Sequence, residues 1–236
     1  MSAQPMLEAR GISRHFRGVI AVDDVSLRLE RGTIHGLIGP NGAGKTTLFN
    51  LLTGLVRPTR GRVLLAGRDI TGWSAARRAR AGLGRVFQRT QLFATLPVQE
   101  HLKLVDPRTA GRAWVEVFAL GPWLHHLPAT LPHGVARKVE LASALAAGAS
   151  ILLLDEPAAG LTEDERQDLG RLLQLAQAQG RTLLIVEHDL EWVVDLADRL
   201  TVLDFGKVIA DGPPHEVAAS PAVRLAYLGE EEAQEA

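Results

Sequence analysis

Leu27-Arg28-Leu29-Glu30 alternates apolar and polar positions with a period of two, which predicts a half-buried strand. The stretch from Leu7 to Leu29 reads as short strands about a turn at Arg17-Gly18, with the apolar run Val19 to Val22 beyond it. Arg31-Gly32 then turns the chain into a strand over Thr33 to Ile38 that ends in a glycine-rich loop. Lys45 to Thr53 predicts a helix, stopped by Gly54 where a left-handed cap is favoured. Ser150 to Asp155 is a continuous apolar run ending in acid, as a buried parallel strand should be, and Arg181 to Glu187 reads as another buried strand. Between them Thr162 and Glu165 form a capping box for a helix lasting to about Gln179 and ended by Gly180. Asp189 is placed to cap the helix that follows. Strands alternating with helices imply a parallel sheet covered by helices.

From about residue 90 to 147 the pattern is mostly helical, interrupted by Pro97, Pro107, Pro122, Pro128 and Pro132. No internal repeat is visible. We therefore expect one domain over 1–236. Its core and β subdomain would use 1–89 and 148–229, its helical subdomain about 90–147, with an acidic, frayed tail at 230–236.

Composition narrows the partners. The 236 residues are 46% apolar and 22% charged, which suits a globular chain with a sizeable core. Net charge is −1, so generic nucleic-acid binding is disfavoured, although a local basic patch stays open. Of the 26 cations only four are lysine, which makes Lys45 conspicuous. The absence of cysteine excludes disulfides, thiolate metal sites and cysteine nucleophiles. Apolar runs such as Ile151 to Leu154 and Leu183 to Val186 are far shorter than the ~20 residues of a membrane helix. Met1 to Glu8 shows no secretory pattern, and a soluble, cytoplasmic chain is expected.

The glycine-rich loop carries chemistry. Gly39-Pro40-Asn41-Gly42-Ala43-Gly44-Lys45-Thr46 fits G-x-x-x-x-G-K-[ST], with a strand before it and a helix after it. Such glycines let backbone wrap phosphates, and the helix start offers free N–H groups to negative charge. Lys45 would bridge the β- and γ-phosphates of a nucleoside triphosphate, and the Thr46 hydroxyl would ligate Mg²⁺. Thr47 is included among the binding positions. Asp155, at the carboxyl end of a buried strand, stands where such folds hold Mg²⁺, and Glu156 would polarise the attacking water. His188 follows the second buried strand and should emerge at the same edge as a γ-phosphate sensor. Alone, such a histidine is more often structural. His125, His126 and His133 have no acidic or thiolate company that suggests a metal site.

In this order the residues resemble the ATP-binding-cassette (ABC) ATPases, from Leu7 to about Gly229. The resemblance implies an α/β P-loop NTPase (RecA-like) parallel-sheet core, an N-terminal antiparallel β subdomain and an inserted helical subdomain. It places Phe16 as the aromatic that stacks on adenine, Val22 as the apolar residue beside it, and Gln88 as the glutamine that touches Mg²⁺. It makes Glu156 the general base and His188 the switch histidine, with ATP and Mg²⁺ as substrate and cofactor. It implies a second ABC ATPase chain in a hetero- or homodimer, membrane permease subunits, and indirectly a periplasmic substrate-binding protein. The place would be the inner face of the cell membrane. Asp155 to Leu161, Glu187 to Leu190 and Pro221 to Glu230 look like the branched-chain amino acid import ATPases. Urea or short-amide importers and lipopolysaccharide exporters share parts of these stretches.

Departures from the pattern are concentrated in one motif. The signature, usually LSGGQ, falls at Leu131-Pro132-His133-Gly134-Val135, where only Leu131 and Gly134 remain. In this family it serves ATP held by the partner, so the missing serine removes a γ-phosphate donor in trans. A helix over Ala136 to Ala147 is expected to follow it. Thr162 stands where Asp or Asn is usual, and the segment between Gln88 and Leu131 is short for the subfamily. Asp204-Phe205-Gly206 spells a kinase metal motif but sits between two strand-like stretches and reads as a hairpin turn. Two readings compete with a transport ATPase. A soluble ABC protein for DNA repair or translation would carry two cassettes or long coiled coils. A weakly hydrolysing structural subunit would suit the altered signature but not the intact Glu156, Gln88 and His188.

Overall fold

A computed structural model describes residues 4–16, 18–109 and 111–234, with side chains described to residue 227. Strands β1 (Leu7–Phe16) and β2 (Val19–Leu29) pair antiparallel, Leu7 opposite Leu29 and Ala9 opposite Leu27. Gly18 lies in the turn between them with φ 95°, and Arg17 falls outside the described residues. β4 (Arg60–Leu65) and β5 (Arg68–Asp69) complete a four-stranded antiparallel sheet in the order β2-β1-β4-β5. Its inner face carries Leu7, Ala9, Leu27, Leu29 and Val63, all buried. The alternation at Leu27 to Glu30 thus becomes one buried and one solvated face.

The second sheet holds β3 (Ile34–Ile38), β6 (Leu83–Val86), β7 (Ile151–Asp155), β8 (Thr182–Val186), β9 (Arg199–Asp204) and β10 (Lys207–Gly212). Their order is β10-β9-β3-β8-β7-β6, parallel except for β10. The continuous apolar runs have a direct reason. Ile151, Leu153, Leu184 and Val186 pack on one side with helix α1 (Lys45–Thr53) and the antiparallel sheet. Leu152, Leu154, Leu183 and Ile185 pack on the other side with α5 (His133–Ala146), α6 (Glu163–Ala178) and α7 (Leu190–Leu196). Both faces are dry, so Ile151 to Leu154 and Leu183 to Val186 are all apolar, and the polar Asp155 and Thr182 stand at strand ends.

Gly54 caps α1 at φ 80°, and Thr162 and Glu165 make the expected capping box. Asp189 accepts from the Trp192 N–H at 3.0 Å and caps α7. Between α2 (Ala75–Arg80) and α5 lie α3 (Val98–Val105), α4 (Arg112–Val117) and two single 3-10 turns. Asp204 ends β9 and Lys207 starts β10, so Phe205 (φ 42°) and Gly206 (φ 77°) form a two-residue hairpin turn. One expectation changes. The helix expected from Ala136 begins at His133, because Pro132 is extended at φ −54°, ψ 150° and serves as its N-cap. After the short α8 (Pro214–Ala218), α9 runs from Pro221 to Gln234 and takes in the described part of the acidic tail. Among the described residues no helix is long and apolar enough to cross a membrane.

Candidate active site

The loop from Gly39 to Gly44 leaves β3 at the carboxyl edge of the sheet and feeds α1. Two of its glycines are dictated by contact. A Cβ on Gly39 would lie 2.1 Å from the Leu203 carbonyl oxygen, and one on Gly44 would lie 2.4 Å from that of Ala21. Both also have positive φ. The Phe205-Gly206 hairpin clamps the loop: Gly206 N–H donates to Ala43 O at 2.9 Å, and Asp23 N–H donates to Gly206 O at 2.9 Å. Lys45 is buried, and its ammonium donates to the carbonyls of Pro40 at 3.0 Å and Gly39. Pro40 to Thr47 line a cavity of about 410 Å³ together with Val19, Ile20, Phe205 and Glu156.

The base side differs from expectation. Val22 is fully buried in the core and does not line the cavity. β2 instead presents Val19 and Ile20, 65% and 51% exposed, at its entrance. Phe16 is 41% exposed at the end of β1, with the Arg14 guanidinium 4.4 Å from its ring centroid. It stands outside the cavity wall.

Asp155 ends β7, and Glu156 follows it in a left-handed conformation at φ 43°, its N–H donating to Val186 O at 2.8 Å. That conformation is uncommon for a side-chain-bearing residue and turns the carboxylate off the strand path towards the cavity. Gln88, just beyond β6, donates its side-chain amide to Glu156 at 2.5 Å. Burial pushes the Asp155 carboxyl up, and Arg85 opposes that shift. Arg85, in β6, reaches Asp155 at 3.3 Å and Asn50 at 2.8 Å, and its guanidinium lies over the rings of Phe49 and Phe87. The Thr46 hydroxyl, the Asp155 carboxylate and the Gln88 amide oxygen are hard donors of the kind Mg²⁺ takes. Among the described residues no three His, Cys, Asp or Glu converge as a metal cluster. Mg²⁺ held by so few protein donors takes the rest of its shell from waters and substrate phosphate oxygens.

Arg137 was not singled out from the sequence. It is 1% exposed, and from α5 it donates to Phe87 O at 2.6 Å, to Gln88 O, and to Glu140 at 3.0 Å. Glu140 accepts in turn from Gln91 N–H at 3.2 Å. The helix that begins in the signature thus grips the glutamine segment from beneath. Pro132 and His133 are exposed at the tip of that helix. Gly134 is buried, with room for no Cβ, which would lie 2.6 Å from Glu165 Oε1. Its N–H donates to the Glu165 carboxylate, so the acid of the α6 capping box also satisfies the start of α5. None of Leu131 to Val135 lines the cavity.

His188 follows β8 at the same sheet edge, with a side chain 66% exposed and its Nδ1 3.6 Å from Glu187 Oε2. Glu187 is buried, which pushes its carboxyl up, and it accepts from Ala158 N–H at 2.9 Å. That bond fixes the turn after Glu156.

The chain is similar over nearly its whole length to characterised transport ATPases. Residues 22–159 match the family described as "ABC transporter", and residues 207–233 match "Branched-chain amino acid ATP-binding cassette transporter". The high-affinity branched-chain amino acid transport ATP-binding protein BraF of Pseudomonas aeruginosa is 36% identical, covering 97% of this chain and 99% of that protein. The lipopolysaccharide export system ATP-binding protein LptB of Acidithiobacillus ferridurans is 37% identical, covering 96% and 98%. Among solved structures, the ADP conformation of MJ1267, an ATP-binding cassette of an ABC transporter, aligns with TM-score 0.88 at 28% identity, covering 95% of this chain and 99% of that one. The nucleotide loop, the acidic strand end and these likenesses together place the chain in the ABC transporter family of ATPases.

Proposed function

We propose that this chain hydrolyses ATP to drive import of branched-chain amino acids, or related small amides, through partner permease subunits. The observation that carries the import reading is the match of residues 207–233 to the branched-chain family. Overall identity alone does not separate the two classes, since an importer subunit at 36% and an exporter subunit at 37% are equally near.

In this reading Lys45 leaves its carbonyl partners to neutralise the β- and γ-phosphates, while α1 N–H groups hold the phosphate chain. Phe16 stacks on adenine, and Val19 and Ile20 wall the sugar and base. Thr46, Asp155 and Gln88 would hold Mg²⁺, which when bound neutralises charge developing on the phosphates. Glu156 takes a proton from water as the water oxygen bonds to γ-phosphorus and the bond to ADP breaks. His188, exposed at the same edge, contacts the γ-phosphate as the site closes.

Closure requires a second ATPase chain whose signature covers this site. Exposed Phe87, Phe93, Leu104 and Leu127, around the glutamine segment and the helical subdomain, offer the permease an apolar seat. The chain then sits on the inner face of the membrane, and a periplasmic binding protein chooses the substrate. Co-expression with the permease subunits and their binding protein tests the reading. Branched-chain amino acid should stimulate phosphate release in vesicles, and stimulation by lipopolysaccharide alone would overturn it.

A further inference from the structure

Charge along this near-neutral chain is sharply divided. Residues 1–90 hold fifteen Lys and Arg against five Asp and Glu, and residues 91–236 hold eleven against 22. The halves are therefore +10 and −11, and within the basic half residues 68–80 hold four arginines against one acid. The guanidinium groups of Arg68 and Arg77 lie 4.7 and 4.0 Å from the Trp73 ring centroid. Arg80 stands one turn beyond Arg77 on α2, and all three arginines are exposed with no ion pair among the described residues. Asp69, beside Arg68 in sequence, lies 3.9 Å from Arg62. Leu55 adds an exposed apolar side chain at the end of α1.

This surface is rigidly mounted. Arg78, fully buried, donates to Leu51 O at 2.8 Å, Leu52 O at 2.6 Å and Thr71 O at 3.2 Å. It ties α2 to the end of α1 and to the loop carrying Trp73. The backbone that carries the neighbouring cations is therefore fixed before any partner arrives.

We propose that the surface of Arg68, Trp73, Arg77 and Arg80 binds the anionic headgroups of a lipid bilayer. Three arginines without carboxylate partners beside a half-buried tryptophan suit a negatively charged interface, where each cation contributes and the ring's apolar body lies among the headgroups. Single-stranded nucleic acid is the poorer partner, because base stacking needs an open aromatic face. Trp73 has its ring against the core and against two guanidinium groups of its own chain. Position agrees. α2 leads directly into β6, the free edge of the large sheet, whose other end carries Phe87 and Gln88. Four strand residues span about 13 Å, so only the length of β6 separates the end of α2 from the segment that carries Phe87. The inference rests on the membrane reading above, but its test contains no permease, so the two fail separately.

The test is co-sedimentation of the full chain with vesicles of phosphatidylcholine, alone or with 30% phosphatidylglycerol. Binding should require the anionic lipid and weaken at least tenfold when salt is raised from about 50 to 200 mM. At about fivefold per cation, the triple change Arg68→Gln, Arg77→Gln, Arg80→Gln should weaken it by at least tenfold more. ATP affinity should be unaltered in that variant. Arg80→Glu, which spares the stacked pair, should show the same direction alone, and Arg108→Gln with Arg171→Gln should change nothing. Equal binding to phosphatidylcholine, or indifference to the triple change, would overturn the proposal. So would tighter binding of a 20-nucleotide RNA that the triple change abolishes, which would make the surface a nucleic-acid site.

Discussion

The side-chain amide of Gln88 donates to the Glu156 carboxylate at 2.5 Å, which joins the glutamine segment to the group proposed to accept water's proton. The contact uses the amide nitrogen, so the amide oxygen is the end left to face a cation. Movement of residues 87–88, whose carbonyls Arg137 holds, is therefore felt directly at Glu156.

Replacing Gln88 by Glu sets a second carboxylate against Glu156. Like charge raises the pKa of both groups, and the acidic limb of the pH–rate profile should move to higher pH. Steady-state phosphate release between pH 5.5 and 8.5 reads this. Gln88→Ala should lower turnover without that shift.

Lys45→Ala removes the ammonium that the loop carbonyls now hold. Nucleotide affinity should fall at least tenfold, since charge-assisted contacts to phosphate are worth about 1.5–3 kcal/mol. Titration with a fluorescent ATP analogue checks this, and near-parental affinity would remove Lys45 from the phosphate site.

Arg137→Met leaves Glu140 buried without its cation and two carbonyls without their donor. Breaking one side of a buried pair costs about 3–5 kcal/mol, to be read as a lower urea midpoint at constant slope. Adding Glu140→Gln should recover part of the loss. Full recovery of stability with turnover still depressed would show that Arg137 also orients Gln88.

The elements closest to the nucleotide were legible because local pattern dictates them. The Gly39–Thr46 spacing, the two-sided apolar strands and the Thr162–Glu165 box each need only neighbours in sequence. Arg85 and Arg137 were not legible, since their partners Asp155 and Phe87 lie 70 and 50 positions away. In a chain whose cations are mostly arginine, nothing local marks either one. Val22 misled for a related reason: an apolar residue next to a site by sequence belongs to either face of β2, and it takes the core face. The signature segment misled through Pro132, which caps α5 where it reads as an interruption.

His35 is buried on β3 with its Nε2 2.7 Å from Thr201 Oγ1, and burial pushes its pKa down to about 4. A histidine with a lowered folded pKa is kept neutral by folding, so the unfolded chain binds the extra proton. Its contribution to stability is complete above pH 6.5 and is lost as pH falls from there towards 4. At pH 5 the loss should be about 2 kcal/mol relative to pH 7.5, measured by urea unfolding. His35→Gln should be less stable at neutral pH but show less of that acid dependence.

Glu156→Gln in the assembled transporter tests the central claim most directly. The amide keeps the shape and the Gln88 neighbourhood but cannot take a proton from water. ATP should bind with parental affinity, while substrate-stimulated phosphate release from this chain's site falls at least a hundredfold. Release within a few-fold of the parent would contradict the account.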